Sequence, residues 1–297
     1  MREKLNPAFR CAHPVDRPLM SEATQQTATL AGLHGNILLV GAGKMGTAML
    51  EGWLRFGAPV SKVAVIEPEP SERLDALVAQ GLTLNPKTAA DLAAAVIAVK
   101  PQIAPELMPA VAPLLGNDTV VVSIMAGRTL RFLGHNLPEA AIVRAMPNTP
   151  AAIGRGITVA VPNARVSSAQ RKLVDALLAA IGTVEWTSDE SLMDAVTALS
   201  GSGPAYVFLL AECMARAGNL AGLPPGLASS LATATVAGAG ELLGRSGLDP
   251  ATLRQNVTSP GGTTAAALDV LMRERGLQPL LTEAIAAATA RSRQLAG

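Results

Sequence analysis

The sequence predicts an α/β chain, in which a doubly wound parallel sheet is followed by a region of helices alone. Three observations carry this. Short apolar runs alternate with helical stretches from Asn36 to about Ala180. The first run feeds straight into a glycine turn, Gly41, Gly43 and Gly46, and a helix start. Beyond Val184-Glu185-Trp186 no strand pattern recurs.

Residues 1–34 stand apart, with prolines, charges and a Ser/Thr/Gln tract but no apolar centre of a signal peptide. They read as a disordered extension, with Met20 as an alternative start and with His13 and His34 solvated. The organised chain then starts at residue 35. Ile37 to Val40 form an apolar run that suits a parallel strand covered on both faces. The helix after the glycine turn runs to Phe56 and ends at Gly57, with Pro59 beyond. Lys62 to Glu67 is a second strand, and Ser71 to Ala79 a short helix stopped by Gly81. Ala94 to Val99 is a strand broken by Pro101, and Ala104 to Leu115 a helix despite Pro109 and Pro113. Thr119–Ser123, Ile142–Ala145 and Gly156–Val161 are further strands, and Ser168 to Ala180 is a helix.

Thr187 and Glu190 fit a capping box, which places a domain boundary after residue 187. From 188 to 297 the pattern gives helices at about 189–199, 204–221, 225–244, 250–256, 262–274 and 279–295. The last of these are rich in alanine and leucine over much of their surface. Helices apolar nearly all round must be buried, here against a second subunit.

A net charge of +1 gives no reason to expect a nucleic acid or an anionic membrane as partner. No apolar run approaches the ~20 residues of a membrane helix. Cys11 and Cys213 form no metal or redox motif and suit a reducing cytoplasm. His135 is the one histidine of the organised part, and the acids form no dyad. No metal site is expected. The chemistry should therefore need no strong protein acid or base.

The glycine turn points to a dinucleotide. Gly41 permits the turn, Gly43 lets a pyrophosphate approach, and Gly46 lets helix and strand pack closely. The helix start at Lys44 aims free N–H groups at the phosphates. Glu67 closes the second strand, where an acid accepts hydrogen bonds from the adenosine ribose and repels a 2′-phosphate. Glu69 adds negative charge, and Arg73 is the nearest cation. Taken alone, Glu67 favours NADH. Val99-Lys100-Pro101-Gln102 and Ser123-Ile124-Met125-Ala126-Gly127 leave carboxyl ends of strands, where either a turn or a nicotinamide wall is expected. Arg144 precedes Asn148 and Thr149, and structural ion pairing is its commoner fate. Ser200 to Pro204 read as a helix cap or a tight bend between helices. Asn256 to Thr264 form a second anion cup of glycines, hydroxyls and a helix N-terminus, or else an elaborate helix cap.

In order and spacing, the chain from about Ile37 resembles pyrroline-5-carboxylate reductases. The resemblance rests on GAGKMGTAM at 41–49, AVKPQ at 98–102, SIMAG at 123–127, RAMPNTPA at 144–151, LSGSGPAYVF at 199–208 and VTSPGGTTAAAL at 257–268. It implies a Rossmann-type domain followed by an all-α dimerisation domain, with dimers able to assemble into decamers. It implies NADPH or NADH on Gly41, Ala42, Gly43, Lys44, Met45 and Gly46, with Glu67 and Asn85 towards the adenosine. Val99, Lys100, Pro101, Met125, Ala126 and Gly127 would line the nicotinamide side, and Glu190 and Asn256 also match cofactor-contacting positions. The substrate carboxylate would sit at Ser259, Gly261, Gly262, Thr263 and Thr264, in a cup able to serve the cofactor of the other protomer. Thr264 matches the hydroxyl residue that bonds the ring nitrogen.

The implied reaction passes a hydride to the imine carbon of 1-pyrroline-5-carboxylate and gives proline. Two departures stand out. Relatives favour NADPH and often carry a small polar residue where Glu67 stands, and Gly247 replaces an acid found in some of them. The alternatives are a reductase of another small cyclic imine and a non-catalytic dinucleotide sensor. A β-hydroxy acid dehydrogenase would want a lysine between Leu192 and Arg216, and none is there.

Overall fold

The computed structural model describes residues 29–296. The rest of the expected extension, with Cys11, His13 and Met20, lies outside them. By contacts the chain divides into two units, each taken by itself below: residues to Leu210 together with those from Asp269, and Ala211–Leu268.

The first unit is built on an eight-stranded sheet in the order β3-β2-β1-β4-β5-β6-β7-β8. Its strands are β1 (Asn36–Val40), β2 (Val63–Ile66), β3 (Thr83–Leu84), β4 (Leu92–Ile97), β5 (Val120–Ser123), β6 (Ala141–Met146), β7 (Gly156–Pro162) and β8 (Gly182–Trp186). The pleat sends alternate residues to opposite faces, and both faces are dry. Ile37 and Leu39, Val63 and Val65, and Val120 and Val122 face one layer of helices. Leu38, Val40, Ala95, Ile97 and Val121 face the other. The first layer holds α1 (Lys44–Arg55) and α5 (Ser168–Ala179). The second holds α3 (Ala104–Val111) and α4 (Leu130–Asn136), and the short α2 (Glu72–Val78) follows β2.

Two features depart from the expected all-parallel sheet. β7 runs antiparallel to β6. The connection between them is too short for a crossover helix, so the chain must fold straight back. β8, parallel to β7, forms the far edge, where the sequence pattern had marked only a change of character. A third difference lies at the start. Leu30–Gly32 form a 3-10 turn, and Leu30 and Leu33 are buried in the core with Trp53 and Ala58. The packed chain thus begins before residue 35. Two leucines are too few to show a period.

After β8 come α6 (Met193–Val196), a π turn over Thr197–Gly201, and α7 (Gly203–Leu220). Then follow α8 (Pro225–Ser246), α9 (Pro250–Asn256), α10 (Thr263–Leu271) and α11 (Leu277–Ala296). Contacts group α11 with the sheet unit, where Ser292 donates to Asp194 at 2.7 Å. In the second unit, α8 buries only Ala228 and Ala232 over 22 residues, while Leu227, Leu231, Leu242 and Leu243 stand exposed. No described helix is long and apolar enough to cross a membrane.

Trp53 anchors α1. It is wholly buried, and its indole N–H donates to the Leu177 carbonyl of α5 at 2.9 Å. Trp53→Ala should cost about 3–5 kcal/mol, read as a lower urea midpoint. An unchanged midpoint would remove Trp53 from the core account.

Candidate active site

The glycine turn begins where Gly41 leaves β1 with φ +93°. Its N–H donates to the Ile66 carbonyl at 2.9 Å, tying the turn to β2. A methyl group on Gly46 would fall well inside contact with the Gly41 carbonyl oxygen, so α1 packs on the turn with no room for a side chain. Gly43 is different. A Cβ there would meet nothing within 4 Å, so no packing demand explains this glycine. What it keeps clear is the space before the start of α1. Gly43 is also the N-cap of α1 and supplies no side-chain cap, which leaves first-turn N–H groups for a ligand. Thr47 Oγ1 donates to the Ala42 carbonyl at 2.8 Å and steadies the turn. This cradle fits a dinucleotide pyrophosphate.

Strand order arranges five of the sequence-predicted segments in one row along the carboxyl edge. Asn85 follows β3, Glu67 follows β2, and the glycine turn follows β1. Val99–Pro101 follow β4 and Met125–Gly127 follow β5. Glu67 Oε2 accepts from the Ala42 N–H at 2.7 Å, and its Oε1 from the Glu69 N–H at 3.2 Å. Asn85, at φ 48°, clasps the backbone of Glu67, accepting from its N–H and donating to its carbonyl, both at 2.9 Å. Arg73 is engaged elsewhere. Its guanidinium binds Glu51 through two bonds of 2.6 and 3.0 Å. Hydrogen bonding to Arg73 holds the Glu51 carboxyl below its usual range, partly opposed by burial.

Glu190 does not form the expected capping box. Asp189 is the N-cap there and accepts from the Ser191 N–H. Glu190 Oε1 accepts instead from Arg144 Nη1 at 2.8 Å and from the Leu130 N–H at 2.7 Å. Arg144 is only 5% exposed, so its charge needs that partner. Asn148 Oδ1 accepts from the Ile157 N–H, and its amide donates to the Ser200 carbonyl at 3.2 Å, pinning the π turn. The Ser200–Pro204 stretch is thus a π turn running into α7. A cleft of about 570 Å³ lies beside the start of α1, lined by Lys44, Met45, Thr149, Pro150 and Phe208 among others. A larger cavity of about 660 Å³, touching Leu30, Asp91 and Leu173, lies at the amino ends of the strands, away from this row.

The stretch read as a second anion cup or a helix cap lies in the other unit. Gly261 turns with φ +69°, Gly262 donates to the Ser259 carbonyl at 3.0 Å, and α10 starts at Thr263. Gly262 is tight against Ser259 Oγ, so a side chain there would displace it. Thr258 is used structurally, donating to the Arg254 carbonyl at 2.6 Å. The Ser259, Thr263 and Thr264 hydroxyls and the Asn256 amide make no hydrogen bond among the described residues. A plain helix cap would spend them. Gly247, the departure noted in the sequence, ends α8 at φ +66°, a conformation that suits glycine.

Sequence reasoning missed Arg128, whose Nε and Nη2 donate to the Pro101 carbonyl at 3.0 and 2.6 Å. Its only signal was its place directly after the Met125–Gly127 loop.

Comparison with known proteins shows what the chain is similar to. A profile described as pyrroline-5-carboxylate reductase dimerisation matches residues 190–295. One described as NADP oxidoreductase, coenzyme F420-dependent, matches residues 36–127. The chain is 38% identical over 269 residues to a pyrroline-5-carboxylate reductase of Pseudomonas aeruginosa, covering 88% of this chain and 96% of that one. The structure of such an enzyme from Coxiella burnetii aligns with a TM-score of 0.80 at 32% identity, over 88% of this chain and 98% of that one. A Plasmodium falciparum pyrroline carboxylate reductase with NADP bound aligns at 0.74 and 28% identity, over 88% and 98%.

The glycines make a paired prediction. Gly43→Ala should fold with an unchanged melting temperature yet bind dinucleotide at least tenfold more weakly by fluorescence titration. Gly46→Ala should lose thermal stability and binding together. Equal binding by Gly43→Ala and the parent would disconnect the clear space from the ligand.

Proposed function

The chain belongs to the pyrroline-5-carboxylate reductase family, and on that premise we propose how its residues divide the work. The reaction is the reduction of the ring imine of 1-pyrroline-5-carboxylate to proline by NAD(P)H, the last step of proline synthesis. The observation that carries the site assignment is the row of loops on the carboxyl edge, centred on the unfilled space at Gly43. When bound, the dihydronicotinamide supplies the hydride.

The turn from Gly41 to Gly46 binds the pyrophosphate through backbone N–H groups and the start of α1. Glu67 accepts from the ribose hydroxyls, and Asn85 holds the Glu67 backbone in place. Val99, Lys100 and Pro101, with Met125, Ala126 and Gly127, form the walls of the nicotinamide side. Glu190 and Asn256 add cofactor contacts. For Glu190 the free oxygen is Oε2, since Oε1 is spent on Arg144 and Leu130. Ser259, Gly261, Gly262 and Thr263 hold the substrate carboxylate. Thr264 bonds the ring nitrogen, which becomes the secondary amine of proline. An imine that arrives protonated is already electrophilic, so positioning does most of the work, worth roughly 7–11 kcal/mol in the best cases. That accords with the lack of a histidine in this constellation.

The chain self-associates through its helical region, whose family profile is one of dimerisation. The exposed leucines of α8 are the surface such a partner covers. Decamer formation and a cytoplasmic setting extend the same reading, the latter in keeping with the free thiol of Cys213.

NADH is the proposed cofactor of choice. A 2′-phosphate would meet the Glu67 carboxylate, and Arg73, the first cation after it in sequence, is held by Glu51. Two unit charges at 4 Å cost about 1 kcal/mol in water and about 4 kcal/mol near a protein surface. A tenfold preference in kcat/KM needs only about 1.4 kcal/mol. Glu67→Ser should therefore raise kcat/KM with NADPH about tenfold or more, while lowering it with NADH. A variant whose cofactor ratio matches the parent would place Glu67 away from the ribose.

Thr264→Val keeps the shape and loses the hydroxyl. Its kcat with pyrroline-5-carboxylate should fall at least tenfold, with dinucleotide affinity unchanged. Full activity in that variant would remove Thr264 from the reacting nitrogen. Failure of the parent to oxidise NADH or NADPH with this substrate would overturn the reductase reading itself.

A further inference from the structure

We propose that Arg128, working with the Arg144–Glu190 ion pair, is a positioning residue that fixes the spacing between the Val99–Pro101 and Met125–Gly127 loops. The proposal rests on the reductase reading, which assigns those loops to the two walls of the nicotinamide side.

The bonds run from the loop after β4 to the segment after β5, and from there to Glu190 after β8 and Arg144 within β6. Arg128 stands directly after Gly127, and both Nε and Nη2 donate to the Pro101 carbonyl, at 3.0 and 2.6 Å. Its guanidinium lies 4.5 Å from the ring centroid of Phe132, which holds the fork flat. Two residues on, the Leu130 N–H donates to Glu190 Oε1 at 2.7 Å. That same oxygen takes Arg144 Nη1 at 2.8 Å, and Arg144 is buried in β6. Thr129 closes the gap between Arg128 and α4, its Oγ1 accepting from the Phe132 N–H at 3.1 Å.

At their roots the two loops are joined by the Ile124 N–H donating to the Ile97 carbonyl at 3.1 Å. Beyond the strand ends, Arg128 supplies the link. Without it the Pro101 carbonyl keeps only the Ala104 N–H, and the loop at 99–103 loses its polar tie to the loop at 124–128. Arginine suits the task because its planar fork sends two parallel donors to one acceptor and stacks on a ring at the same time, which lysine does not do. Arg144 and Glu190 form the fixed end. A buried arginine keeps Glu190 in place, and Glu190 keeps the start of α4 in place.

Neither arginine needs to touch the substrate for this to govern rate. Hydride transfer requires donor and acceptor about 3–3.5 Å apart, and a shift of about 1 Å can cost ~100-fold. Loosening the spacing should lower turnover while leaving the phosphate and ribose contacts intact.

The test compares Arg128→Leu, Arg128→Gln and Arg128→Lys with the parent protein. For Arg128→Leu, kcat should fall at least tenfold while the NADH Kd, by fluorescence titration, changes less than threefold. In the cofactor-free protein, amide exchange at 102–103 and 125–128 should become faster. The deuterium isotope effect with 4-deuterated NADH should rise towards its intrinsic value as hydride transfer becomes rate-limiting. Arg128→Lys should recover part of kcat. Should the leucine variant fail to fold, Arg128→Gln, which keeps one donor, carries the same expectations. An unchanged kcat overturns the proposal, and so does slower turnover with parental amide exchange. A parallel loss of kcat and NADH affinity makes Arg128 a binding residue and overturns it too. Parent turnover, measured alongside, tests the reductase reading separately.

Discussion

The contact between Gly46 and the carbonyl of Gly41 leaves no room for a methyl group, and the carboxyl edge of the sheet is built on that closeness. It brings α1 down onto the turn that leaves β1. The helix start then faces the space that Gly43 keeps clear. Because β1 lies between β2 and β4, the same contact sets the turn beside Glu67 on one side and Val99 on the other. An elongated ligand laid across this edge would meet an acid, a glycine cradle and two apolar loops in that order. The strands that carry this edge are dry on both faces, which holds their ends in place.

Charge is placed sparingly around this edge. Glu67 is tied to Ala42 and Glu69 by backbone donors, and its own backbone is clasped by Asn85. Arg73 is neutralised by Glu51, although so exposed a pair contributes little to stability. Arg144 is the opposite case. Removing its partner would strand a charge in the interior, at a cost of about 3–5 kcal/mol. The buried pair thus shapes the framework, to which the exposed pair adds little.

Much of this was legible in the sequence because it is local. The strand, glycine turn and helix start at 37–49 are contiguous, and both the burial of β1 on its two faces and the close packing at Gly46 follow from the pattern. Glu67 was legible from its distance to that turn. The SPGGTT segment read as either an anion cup or an elaborate helix cap, and local sequence alone could not separate the two. What escaped was long-range. Glu190 satisfied a capping pattern with Thr187, yet its carboxylate goes to Arg144, 46 residues away in sequence. A local motif cannot show a competing partner of that kind. The antiparallel turn into β7 escaped because strand periodicity carries no direction. The apolar faces of the C-terminal helices were read as requiring cover, and among the described residues α8 buries only Ala228 and Ala232.

The most direct measurement of the central claim is amide hydrogen exchange with and without saturating NADH. With one dinucleotide along the carboxyl edge, protection should appear at 41–46, 67–69, 99–103 and 125–128, with none at 30–35, 91–93 or 169–176, around the larger cavity at the other end of the strands. Protection concentrated around that cavity, with the glycine turn unchanged, would contradict the account.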